Sequence, residues 1–362
     1  MTSQKPKVAF YWCASCGGCD EAVVDLDEGL LEVAGAVDIV LWPVALDFKR
    51  KNVEELQDGA IAVSFINGAI RNSEQREWAE LLRKKSQVVI AFGSCSHMGG
   101  IPGLANLSER DAILKEVYCD AASVVNPERT SPQQTFGVNG EQLELPVLLN
   151  SVSTLSQVID VDYYLPGCPP PTKLIAAAIG ALLKGELPPK GAILAPDYAL
   201  CEECPRKASK PEGLAIAQFR RAHEVLINPE SCLLAQGIVC MGPATRAGCE
   251  AVCIDGNMPC TGCMGPTSRV ADQGAKALAA VASVVDSKEE GEIDRILSAI
   301  PDPVGTFYRY GVPASLLRRK PAPTVGRTEG TRYARTERSD LEDQDLTDQY
   351  RSHHATGRAR KN

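Results

Sequence analysis

Val8-Ala-Phe-Tyr-Trp12 runs without a break into Cys13-Ala-Ser-Cys16-Gly-Gly-Cys19. Five apolar or aromatic residues in a row suit a buried strand, and the turn of cysteine and glycine ends it abruptly. The same join recurs twice: a run at 88–92 meets Gly93-Ser-Cys95, and one at 161–165 meets Pro166-Gly-Cys168-Pro-Pro. Two more strand candidates lie at 37–42 and 60–66. Helical spacing of apolar residues appears at 20–33, 74–84 and 171–184. This βαβ rhythm predicts an α/β fold, a parallel sheet of flavodoxin-like type covered on both faces. In such sheets ligands gather outside the carboxyl ends of the strands. Three cysteine turns at three strand ends are therefore expected to meet.

The sequence changes texture near Glu186. Proline, glycine and cysteine become dense, and helices are predicted only at 213–223 and 268–284. The reading divides the chain into a flavodoxin-like domain (1–185), a cysteine-rich, loop-rich domain (186–290) and a C-terminal extension (291–362). Beyond Lys320 the extension is polar and charged, an extended arm or disordered tail. So little regular periodicity in 186–290 suggests that bound metal supplies part of the fold, since metal binding energy becomes folding energy.

The chain has 362 residues, 44% hydrophobic, enough for a large buried core, and a formal charge of −8, which argues against nucleic acid as partner. No apolar run approaches the length needed to span a bilayer, so no direct membrane insertion is expected. Met1–Lys7 is short and polar, with neither a secretory apolar stretch nor paired arginines, and a cytoplasmic location is expected. In that compartment 14 cysteines point to metal and not to disulfides. No Gly-x-Gly-x-x-Gly follows a strand and no P-loop is present, so dinucleotide and nucleotide binding have no support.

Iron–sulfur cubanes take four protein ligands, one thiolate per iron. Two of Cys13, Cys16 and Cys19 join Cys95 and Cys168 to make one set. Cys201, Cys204, Cys232, Cys240, Cys249, Cys253, Cys260 and Cys263 suffice for two more. Spacing alone leaves the division of these eight open. It also leaves open whether Cys13 or Cys19 pairs with Cys16, and whether zinc takes the place of iron. Cys119, His223, His353 and His354 show no ligand context. His97, two residues after Cys95, reads as an ordinary loop histidine sooner than as a hydrogen-bond partner of a cluster sulfur, and Arg206 and Arg246 as solvated sooner than as charges that tune a cluster.

These motifs resemble the small subunits of [NiFe]-hydrogenases over roughly residues 5 to 275. Cys16-Gly-Gly-Cys19-Asp-Glu21 is similar to that family's first proximal motif. Gly93-Ser-Cys95, continuing to Gly99-Gly-Ile-Pro102, is similar to the second, and Pro166-Gly-Cys168-Pro-Pro to the third. Cys240-Met-Gly-Pro with Cys249, then Pro259-Cys260-Thr-Gly-Cys263, resemble its later ligand stretches. The resemblance implies a proximal cluster on Cys16, Cys19, Cys95 and Cys168, a medial one on Cys249, Cys253, Cys260 and Cys263, and a distal one on Cys201, Cys204, Cys232 and Cys240. Periplasmic members carry histidine where Cys201 stands and often only three medial cysteines; thiolates at every position here imply three [4Fe-4S] clusters. Ser15 stands where many relatives have glutamate, so a proton role for that glutamate does not transfer. The wording of the first motif is most like the cytoplasmic methyl-viologen-reducing type. The resemblance therefore implies an electron-transfer subunit, with hydrogen split on a partner [NiFe]-hydrogenase large subunit and electrons passed to an acceptor protein, heterodisulfide-reductase-like in that type. The competing expectations are an iron–sulfur subunit of a complex-I-like oxidoreductase and a zinc-stabilised scaffold.

Overall fold

The structure, a computed structural model, describes residues 5–318; the polar end beyond Lys320, expected to form an arm or tail, lies outside the described residues. Five strands form the central sheet: β1 (Lys7–Trp12), β2 (Asp38–Leu41), β3 (Ile61–Asn67), β4 (Ser86–Phe92) and β5 (Tyr163–Leu165). They lie in the order 2-1-3-4-5, and every neighbouring pair is parallel. That is the flavodoxin-like order, with its switch point between β1 and β3.

Strand pleating sends alternate side chains to opposite faces. Phe10, Phe65, Ile90 and Phe92 pack on one face against Ile175, Ala178 and Ile179 of helix Thr172–Lys184. Ala9, Ile66, Val89 and Ala91 pack on the other, against Trp78, Ala79 and Leu82 of helix Ser73–Lys85. Asn72 starts the latter helix, its side-chain oxygen accepting the Gln75 N–H at 2.9 Å, a common way to satisfy a free helix-end donor.

The helix expected over 20–33 is two helices, Gly18–Val24 and Glu28–Ala36. They are broken at Asp27, whose φ of 52° no helix can carry. The helix expected over 213–223 does not form. Ile216 and Arg220 instead make isolated parallel bridges to Val285 and Ile238, and Phe219, between them in sequence, is buried. The helix expected over 268–284 is confined to Gln273–Ala282, opened by Asp272, whose carboxylate accepts the Ala275 N–H.

Beyond the sheet, a third apolar cluster gathers Leu200, Phe219, Leu233, Ile238, Ile254 and Val281 with Phe307, Tyr308 and Val312. Residues counted with the C-terminal extension thus complete the core of the cysteine-rich part. Half-buried Cys204, Cys232, Cys240 and Cys249 pack against the same cluster.

Candidate electron-transfer site: three groups of four thiols

None of the 14 cysteines is in a disulfide. The first group forms where the three strand ends meet. Burial raises the Cys19 thiol, and the nearby thiols of Cys95, Cys168 and Cys16 raise it further. Cys95 is pushed up to about 12 by burial and then by Cys168 and Cys16. A buried thiolate is costly and neighbouring thiolates repel, so these groups stay protonated until a cation takes the protons' place.

Close backbone approach makes this grouping possible. Gly93 sits at φ +85°, and a Cβ there would collide with Cys19 Sγ. Gly100, at φ +59°, leaves room in the same way for Cys95 Sγ. Cys13 takes no part. It continues the pleat of β1 onto the opposite face, buried with Ile66 and Trp78, and burial alone raises its thiol. Asp20 fixes the turn: its buried carboxylate accepts Trp42 Nε1–H at 2.9 Å and Asn67 Nδ2–H at 2.8 Å. Cys16 and Cys168 are exposed, so the group opens to the surface.

The later eight separate into two groups. Cys201, Cys204, Cys232 and Cys240 line one cavity together with Arg206 and Lys210. Burial pushes Cys201 up to about 12, with Cys240, Cys204 and Cys232 adding to the rise. Cys263 is likewise pushed up to about 12, by burial and by Cys249, Cys168 and Cys253, and Cys260 is raised by burial, Cys240 and Cys263. Cys249, Cys253, Cys260 and Cys263 are neighbours in turn, Cys249 beside Cys253 and Cys263 beside all three, and are taken as the third group, although Cys260 also lies beside Cys240. Among the described residues no three such ligands are close enough to grip a single ion.

The groups touch in sequence. Cys168 of the first lies beside Cys263 of the third, and its backbone N–H donates to the Cys263 thiol. Ser94 Oγ also donates to the Cys263 carbonyl. Cys260 of the third lies beside Cys240 of the second, whose thiol accepts the Cys260 N–H. Tyr310 stands near both Cys168 and Cys263, and its hydroxyl lies 3.2 Å from Thr261 Oγ1.

Three single-residue expectations are corrected. Arg206 and Arg246 are 5% and 2% exposed, not solvated. Loop carbonyls satisfy both guanidiniums, and Arg246 also pairs with Asp197 at 2.9 Å. His97 lies on helix Gly93–Met98 and not in a loop. Burial, with the Arg246 charge beside it, pushes His97 down to about 4, and its Nδ1 has no hydrogen-bond partner. Cys119 is half-buried on the short helical turn Glu116–Asp120. Tyr310 and Gly93 carry no signal of their own in the sequence beyond the glycine's place next to a cysteine turn.

The family described as NADH ubiquinone oxidoreductase, 20 Kd subunit, matches residues 16–182. A subunit of the F420-non-reducing hydrogenase of Methanothermobacter marburgensis is 40% identical over 322 residues, spanning 88% of this chain and 98% of that protein. This chain belongs to the [NiFe]-hydrogenase small-subunit family. The iron–sulfur subunit of the F420-non-reducing hydrogenase of Archaeoglobus profundus agrees, at 35% identity over 87% of this chain and 98% of its own length. A chain of an NAD+-reducing [NiFe]-hydrogenase in the H2-reduced state superposes on 51% of this subunit and 94% of itself, with 28% identity and a TM-score of 0.44. The subunit is the electron-transfer part of an oxidoreductase whose catalytic centre is on another subunit. Among the described residues no helix is long and apolar enough to cross a membrane.

Proposed function

We propose that this subunit carries electrons from hydrogen, oxidised on a partner [NiFe]-hydrogenase large subunit, through three [4Fe-4S] clusters to an acceptor protein. Cys16, Cys19, Cys95 and Cys168 would hold the proximal cluster, facing the large subunit where Cys16 and Cys168 reach the surface. Cys249, Cys253, Cys260 and Cys263 would hold the medial one, and Cys201, Cys204, Cys232 and Cys240 the distal one. A bound cubane supplies one-electron chemistry with little reorganisation; the chain supplies thiolates, spacing and a tuned surrounding.

The observation that carries this reading is the serial contact of the groups, Cys168 with Cys263 and Cys260 with Cys240. Twelve thiols in three fours match three cubanes at one thiolate per iron. Full thiolate ligation favours low potentials, since added anionic charge opposes a further electron. The acceptor is read as heterodisulfide-reductase-like and the location as cytoplasmic, both from the wording of the first motif. The division near residue 185 follows the change from strand-and-helix rhythm to cysteine-rich loops, whereas the extension after 290 shares the core of the cysteine-rich part through Phe307, Tyr308 and Val312.

Metal analysis of the anaerobically purified complex tests the reading. About twelve irons with matching acid-labile sulfide per chain are expected from the ligand count. Cys168→Ser is expected to lower that number and to abolish hydrogen-dependent dye reduction. Two or three zincs per chain and no labile sulfide would overturn the relay in favour of a zinc-held scaffold.

A further inference from the structure

The two buried guanidiniums of the cysteine-rich part are not equivalent. Arg246 is neutralised by Asp197. Arg206 is 5% exposed and donates only to neutral oxygens: the Ile254 carbonyl and Asn257 Oδ1 at 2.8 Å, and the Asn228 and Ser231 carbonyls at 3.4 Å. Among the described residues no carboxylate pairs with it. It lines the cavity of Cys201, Cys204, Cys232 and Cys240, and Lys210 lines the same cavity. Lys210 is near enough to Cys201 for its charge to favour the thiolate. Beside the neighbouring group the charge is opposite: Glu203 faces Cys249, and its carboxylate accepts the Gly248 N–H at 2.9 Å.

A buried cation without a counter-ion is costly to keep unless something anionic shares its surroundings. Four thiolates around an iron–sulfur core are anionic, and become more so by one charge when the core is reduced. In a wall of low dielectric, an adjacent guanidinium then stabilises the reduced state more than the oxidised one. Arginine is suited to this because its charge does not titrate in proteins.

We propose that Arg206, assisted by Lys210, is the tuning residue of the distal group, raising its reduction potential above that of the medial group so that electrons collect at the exit. The proposal rests on the relay reading above. One electron arrives from the Cys260 side and one leaves to the oxidised acceptor, with no bond made or broken and no proton transferred in this chain. Arg206 acts through the surroundings and not as a ligand.

The test is redox titration of the purified complex, followed by electron paramagnetic resonance of the signal that Cys201→Ser alters. Arg206→Gln keeps polar contacts and removes the charge; distal reduction should become about tenfold less favourable, a fall of about 59 mV for a one-electron couple. Arg206→Lys should restore most of the shift, which a purely structural role would not. Lys210→Gln, at the cavity rim, should move the potential the same way by a smaller amount without loss of iron. An unchanged distal potential in Arg206→Gln at full iron content overturns the proposal. If Arg206→Gln loses iron, an unshifted potential in Lys210→Gln overturns it instead. A wild-type complex without iron–sulfur signals would sink the relay reading itself, a failure visible before any variant is made.

Discussion

The two halves of this molecule are held together in different ways. The sheet half places apolar side chains on both faces of five parallel strands, with Phe10 stacked on Phe65 at 5.0 Å between ring centroids and Trp42 beside it at 4.9 Å. Its hydrogen bonds run strand to strand and need no ligand. The cysteine-rich half also has an apolar core, but short helical turns and isolated bridges surround it, and thiols form part of its wall. Burial has raised most of those thiols, so protonated they add little and ligated they add much.

Removing the metal should break the comparison open. Bound metal can contribute on the order of 10 kcal/mol to a small region it organises. On anaerobic iron chelation, hydrogen exchange of amides in 200–265 is expected to lose most of its protection, while β3 and β4 keep theirs. Equal loss in both halves would mean that the sheet depends on the clusters as well.

The converse change strikes the sheet alone. Phe65 is 2% exposed and touches both Phe10 and Phe92. Phe65→Ala is expected to cost about 3–5 kcal/mol, read by urea denaturation of the complex, with iron content unchanged in native buffer. A loss of iron matching the loss of stability would show that the halves unfold as one.

Much of the sheet half is legible in the sequence because continuous apolar runs such as Val8-Ala-Phe-Tyr-Trp12 have few other uses. The break at Asp27 is not, since Leu26, Leu30 and Leu31 keep helical spacing across it. The stretch 213–223 misleads for a related reason: Leu214, Ile216, Phe219 and Ala222 fit a helical stripe nearly as well as two bridges in a loop. The choice between Cys13 and Cys19 cannot be made from spacing, because both stand three residues from Cys16. The alternation of β1 holds the answer, since Cys13 shares its parity with Ala9 and Tyr11 and goes to their face. Arg206 and Arg246 defeat the sequence reading because surface exposure is the ordinary fate of arginine; only the three-dimensional path of the loops reveals their ring of carbonyls.

At the seam between the halves, Gly93→Ala sharpens the picture. A Cβ there meets Cys19 Sγ, and the positive φ disfavours any side chain. Iron content is expected to fall by about four per chain, one cubane, with the later groups retained. Full iron content in this variant would show that Cys19 is not held where the first group needs it. Asp20→Ala acts on the same turn from behind. It strands the Trp42 and Asn67 donors, at about 1–3 kcal/mol for each buried group left unpaired, measurable by thermal unfolding.

The smallest expected effect lies within the sheet half and depends on pH. Asp162 is buried at the start of β5, where burial raises its carboxyl, but hydrogen bonds from Lys190 and Arg83 and the Val89 N–H outweigh that and hold it below the usual range. Its folded pKa is thus depressed relative to the unfolded chain. The stabilisation is therefore fully present above the ordinary aspartate pKa of about 4 and is lost as pH falls through the lower folded value. Lys190 is largely exposed, which limits the contribution to about 1 kcal/mol. Asp162→Asn should be less stable than the native chain by that amount at pH 7, with the gap closing below about pH 4. Taking the difference between the two proteins at each pH cancels the acid sensitivity they share, including that of any bound cluster. A gap that stays constant down to about pH 3, below the ordinary aspartate range, would mean that Asp162 works through shape and not through charge.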